Sequence, residues 1–122
     1  MYVPSTEQLV YELEVADIVE AIRFYEQLGF AKIRSEPQFA ELSWEGHLLF
    51  LAADSELTGR TGRGHLRIMV PDVDARYQRV QQLGARIVVP IRDTSYGLRD
   101  FIFADPDGNL LRFGTYLAHL RS

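Results

Sequence analysis

At 122 residues, 47% of them hydrophobic and 25% charged, the chain has the composition of one ordinary globular domain, which excludes the disordered and fibrous classes. No apolar run approaches the ~20 residues that span a bilayer, and the start MYVPSTEQL has neither a basic region nor an apolar core, so a cytoplasmic protein with no membrane partner is expected. The absence of cysteine removes disulfides, thiolate nucleophiles and Cys-type zinc sites, and a net charge of −4 disfavours a nucleic-acid backbone as partner.

In chain order, residues 9–15 alternate as a strand, with Leu9, Tyr11, Leu13 and Val15 toward a helix and Val10, Glu12 and Glu14 on the other face. A helix is expected over 17–28: Ile18, Ala21, Ile22, Tyr25 and Leu28 recur at helical spacing, Asp17 with Glu20 makes a capping pair, and Gly29 closes it. Strands near 31–35, 38–44 and 47–53 follow, with Pro37 and Gly46 marking turns. The Gly-rich SELTGRTGRG (55–64) reads as a connector within one domain. Next comes a strand with Leu66, Ile68 and Val70 toward a helix and His65, Arg67 and Met69 on the other face. A second helix starts at Asp72 with the stripe Val73, Tyr77, Val80 and Leu83, and strands near 86–90, 98–104 and 109–115 follow. The end, TYLAHLRS, is read as a frayed terminus or part of a subunit interface.

These elements repeat. VADIVEAIRFYEQLGFAKI (15–33) aligns with VPDVDARYQRVQQLGARIV (70–88), Val15 on Val70 and Leu28 on Leu83. The closing hairpins correspond too, EGHLLFL (45–51) with DGNLLRF (107–113), at a larger offset that places an insertion in PIRDTSYG (90–97). The expected fold class is α+β: two βαβββ repeats, about 8–54 and 64–116, in a single domain spanning 1–122.

With FYEQLGF in the first helix and FADPDGNLLRF at the last hairpin, the doubled pattern resembles the vicinal oxygen chelate superfamily. That superfamily contains glyoxalase I, extradiol dioxygenases, and the fosfomycin- and bleomycin-resistance proteins. The resemblance implies two curved mixed sheets around a cavity, and usually a homodimer. It further implies that metal-dependent members place one ligand on the first and one on the last strand of each half. Those positions are Val10, Phe50, His65 and Arg112 here. Valine and phenylalanine offer no lone pair, and arginine stays protonated and repels a cation, so no metal and no cofactor are expected.

Among metal-free branches the bleomycin-resistance proteins resemble the chain most, through FAEL (39–42) and the run YGLRDFIFADPDGN (96–109). On that resemblance Tyr96 stacks a flat group of the ligand, Phe39 supplies a second aromatic wall and Asp100 matches an inward acid. Strand alternation adds Glu12, Glu41, Phe50, His65, Ile102 and Arg112 to the ligand-binding set. Arg112 is expected to anchor an anion or to pair with an inward acid such as Glu12 or Asp100. No catalytic set is apparent. The expected function is non-catalytic sequestration of a small aromatic or cationic molecule, with a bleomycin-type antibiotic as the candidate ligand. The alternatives are a metal-dependent glyoxalase, lyase or dioxygenase, and a metal-free enzyme using His65 as base.

Overall fold

Each half of the chain passes from a short strand into a helix at an aspartate. The computed structural model describes residues 10–53 and 65–120, and the chain divides into two compact units, Met1–Gly62 and Arg63–Ser122. The first unit contains β1 (Tyr11–Glu14), α1 (Ile18–Leu28), β2 (Ala31–Glu36), β3 (Phe39–Trp44) and β4 (His47–Ala52). The second contains β5 (His65–Met69), α2 (Val73–Gln82), β6 (Arg86–Asp93), β7 (Leu98–Ala104), β8 (Leu110–Tyr116) and the one-turn α3 (Leu117–Leu120). Both are βαβββ, as the repeat predicts, and the class is α+β. The connector 55–64 lies outside the described residues.

Both helices start by the same chemistry. A carboxylate oxygen of Asp17 accepts from the Glu20 amide at 3.0 Å, and one of Asp72 from the Ala75 amide at 3.1 Å, so each satisfies a first-turn N–H that has no intrahelical acceptor. At the end of α1, Gly29 takes φ +122°, a conformation L side chains avoid. Ile18, Ala21, Ile22, Tyr25 and Leu28 are all buried. On α2, Val73 and Val80 are buried, and Tyr77 packs edge-on to Phe101 at 4.8 Å between ring centres.

The sheets have equivalent orders, β1-β4-β3-β2 and β5-β8-β7-β6. In each, the first strand pairs in parallel with the last, and the remaining pairs are antiparallel. Alternation gives each sheet one buried face. In the first unit it presents Leu13, Ala40, Leu42, Leu49 and Leu51; in the second, Ile68, Phe101, Phe103, Leu111 and Phe113. The rings of Phe101, Phe103 and Phe113 sit 5.6–5.9 Å apart. Each such buried ring stabilises the fold by about 2–3 kcal/mol.

The segment 90–97 is less of a loop than its composition suggests, because β6 continues to Asp93 and pairs Arg92 with Asp100 and Asp93 with Arg99. Pro90 is compatible with this because β6 is an edge strand, and shifts in its register absorb the irregularity. The turn after it is tied by Thr94, whose hydroxyl accepts from the Leu98 amide at 3.0 Å. Arg99, on the helix side, reaches Asp93 at 2.7 Å and Asp74 of α2 at 3.0 Å; hydrogen bonds to Asp93 and then Asp74 hold its guanidinium more firmly protonated than usual.

The Asp-Pro-Asp-Gly-Asn turn between β7 and β8 is organised by one carboxylate. Asp105 Oδ1 accepts from the amides of Asp107 at 2.9 Å and Asn109 at 2.8 Å, while Oδ2 accepts from Asn109 Nδ2 at 2.9 Å. Gly108 takes φ +88° to close the reversal. This turn fixes the register that puts Arg112 opposite Ile102.

Candidate functional site

Apart from Tyr96, in the turn between β6 and β7, and His65, the candidate residues occupy the sheet faces opposite the buried sets, and the registers arrange them in rows. On the first sheet Glu12 pairs with Phe50, Phe50 with Glu41 and Glu41 with Arg34. The next row runs Glu14, Ala52, Phe39, Glu36. Phe39 and Phe50 are half-buried and meet edge to face at 5.0 Å and 70°. Arg34 donates from Nε to Glu41 Oε2 at 3.2 Å, from Nη1 to Glu36 Oε1 at 3.3 Å, and lies 5.1 Å from the centre of the Phe39 ring. Glu12 is exposed. This face combines an aromatic pair with four carboxylates and one guanidinium.

The equivalent face of the second sheet has the opposite sign. Arg67 pairs with Arg112 and Arg112 with Ile102; the next row runs Met69, Gly114, Asp100, Arg92. By the repeat, Arg67 and Arg112 stand where the first sheet has Glu12 and Phe50. Asp100 is fully buried at 0% exposure, and three guanidiniums surround it. Arg67 Nη1 lies 3.5 Å and Arg112 Nη1 3.7 Å from Oδ2, and Arg92 Nη2 lies 3.8 Å from Oδ1. The Tyr96 hydroxyl donates to Oδ2 at 3.2 Å, although the Tyr96 side chain is otherwise exposed. Gly114 leaves room for this gathering: a Cβ there would stand 3.3 Å from Asp100 Cβ and 3.6 Å from Arg67 Nη1.

Arg112 therefore faces Asp100, one of the two acids the sequence offers it. Ile102 is buried beside Arg112 in register. Arg67 and Arg92 belong to the same cluster and are absent from the sequence-derived set. Arg67 was legible as the cross-strand neighbour of Arg112, whereas Arg92 lies in the segment read as a loop. The backbone of His65 pairs with Leu110, and its side chain lies outside the described residues.

A divalent ion does not fit the four positions at which metal-dependent relatives hold ligands. Val10 and Phe50 have no donor atom, and Arg112 brings a permanent positive charge. Among the described residues no three His, Asp or Glu side chains come together to hold a metal.

A model of the Glyoxalase/Bleomycin resistance protein/Dioxygenase superfamily matches residues 8–113. The chain belongs to this superfamily. Within it, the bleomycin resistance proteins of Geobacillus stearothermophilus and Staphylococcus aureus are each 32% identical over 126 aligned positions, covering 87% of this chain and 94% of theirs. Among solved structures, TioX from Micromonospora sp. ML1 superposes with a TM-score of 0.76 at 27% identity, over 89% of this chain and 98% of its own. A superfamily enzyme from Burkholderia phytofirmans shares the fold at a TM-score of 0.80 and 23% identity, covering 91% and 99%. A transposon-encoded bleomycin resistance determinant does so at 0.75 and 22%, covering 90% and 98%. Among the described residues no helix is long and apolar enough to cross a membrane.

Proposed function

We propose that the protein binds and sequesters a small aromatic molecule, as a bleomycin-resistance-type protein, and performs no chemistry on it. The observation that carries this is the half-buried Phe39–Phe50 pair on the face of the first sheet opposite its buried set, with Phe50 at a position that metal-dependent members give to a ligand. Two rings meeting edge to face offer a flat guest both a wall and an edge, worth about 0.5–1.5 kcal/mol per aromatic contact beyond area burial. Glu12 and Glu41 on the same face suit positive groups on such a guest. On the second unit the proposed contacts are Tyr96, Arg112 and His65, with the buried Asp100 and Ile102 standing behind them.

The bleomycin-resistance relatives make a bleomycin-type antibiotic the first ligand to test. We further infer a homodimer in the cytoplasm, each chain forming one domain from its two repeats. Fluorescence titration with metal-free and copper-loaded bleomycin tests the ligand. Saturable quenching that Phe39→Ala and Phe50→Ala each weaken by about tenfold is expected. A signal that never saturates, or an affinity that neither variant changes, rules the drug out. Sedimentation velocity tests the dimer, which a monomer at micromolar concentration contradicts.

A further inference from the structure

We propose that Arg67, Arg92 and Arg112 form a binding site for an oxyanion, a carboxylate or phosphate group, beside Asp100 on the face of the second sheet opposite its buried phenylalanines. The site rests on the second unit alone and stands whether or not the protein sequesters bleomycin.

Charge is the first reason. Three guanidiniums converge on one carboxylate, and Arg67 and Arg112 are direct cross-strand partners, an arrangement in which like charges repel. Asp100 neutralises one of the three charges, so a cationic group is repelled here and an anion is attracted.

Hydrogen-bond supply is the second. Asp100 Oδ2 is shared among Arg67, Arg112 and the Tyr96 hydroxyl, and only the hydroxyl reaches hydrogen-bond range. The guanidiniums stay 3.5–3.8 Å from the carboxylate, longer than a charge-assisted bond prefers. Arg112 is mostly buried, at 15% exposure, and its Nε–H is buried without an acceptor. A buried donor left unmade is costly, and Asp100 does not supply the acceptor: Oδ2 takes the Tyr96 hydroxyl, while Oδ1, buried without a hydrogen bond, lies 3.8 Å from Arg92 Nη2. An entering oxyanion brings the missing acceptors.

Access is the third. The Arg67 and Arg92 side chains are 36% and 42% exposed, so a solute reaches the cluster from solvent. The planar fork of arginine matches a carboxylate or phosphate two oxygens at a time.

NMR titration at low ionic strength, following arginine Nε–H and the Gly114 amide, tests the site with inorganic phosphate, benzoate and benzamidine as probes. Phosphate or benzoate should give saturable shifts at Arg112 Nε–H and Gly114, and benzamidine none there. Tighter phosphate assigns a phosphate-bearing ligand, and tighter benzoate an organic carboxylate. Arg92→Gln and Arg112→Gln should each weaken anion binding by about tenfold, the factor of one charge-assisted hydrogen bond. Asp100→Asn should strengthen it. Arg92 lies on an edge strand and is largely solvated, so its variant keeps the test valid if Arg112→Gln folds poorly. No saturable shift with either anion, unchanged affinity in Arg92→Gln, or benzamidine saturating at these resonances overturns the proposal.

Discussion

The Thr115 hydroxyl joins α2 to the strand that carries Arg112 and Gly114, and its removal has a calculable cost. It donates to the Val70 carbonyl at 2.7 Å and accepts from the Val73 amide at 3.1 Å, and Thr115 is 1% exposed. Val73 opens α2, so its N–H has no intrahelical acceptor. Thr115→Val keeps the shape and removes both bonds. Each buried group left without a partner costs about 1–3 kcal/mol, so the variant, which orphans two, should lose about 2–6 kcal/mol. Thr115→Ser keeps the hydroxyl and gives up one methyl, at about 1 kcal/mol. Urea denaturation measures both: the midpoint of the valine variant should fall well below that of the serine variant, with unchanged m-values. If the serine variant is the less stable of the two, the methyl and not the hydroxyl holds this junction, and the reasoning fails.

Three further perturbations address the site and its support. Asp105→Ala strips the acceptor from two amides in the turn before β8 and should cost about 2 kcal/mol in the same assay, with Asp105→Asn recovering part of it; a neutral result would mean water replaces the carboxylate. Gly114→Val should force Arg67 away from Asp100, seen as a changed Arg67 Nε–H resonance; an unchanged resonance would show that the gap is not needed. Phe50→Ala removes one ring of the aromatic pair and should weaken binding of a flat ligand by about tenfold, read by titration against the unaltered protein.

Much of the fold was legible because local chemistry and periodicity agree. Asp17 and Asp72 cap their helices as their positions predict, the stripe on α1 is buried residue for residue, and strand alternation separates Phe39 and Glu41 from Ala40 and Leu42. The extension of β6 was not legible, because Pro90 with the polar run Arg92, Asp93, Thr94 and Ser95 soon after it reads as a turn. Its pairing depends on the edge position and register shifts that only the sheet supplies. For the same reason Arg92 was overlooked. The sequence offered Arg112 two acids, and choosing Asp100 required the registers across β8 and β7. Alternation places residues on a face, but it does not count charges there. The gathering of three guanidiniums about one buried carboxylate is a sum over four strands, which no single segment reveals.

The most direct test of a binding rather than catalytic role is calorimetric titration with copper-loaded bleomycin, followed by mass spectrometry of the recovered drug. Saturable binding with the drug recovered unchanged is the predicted result. Absence of saturable heat, or a covalently altered drug, would contradict it.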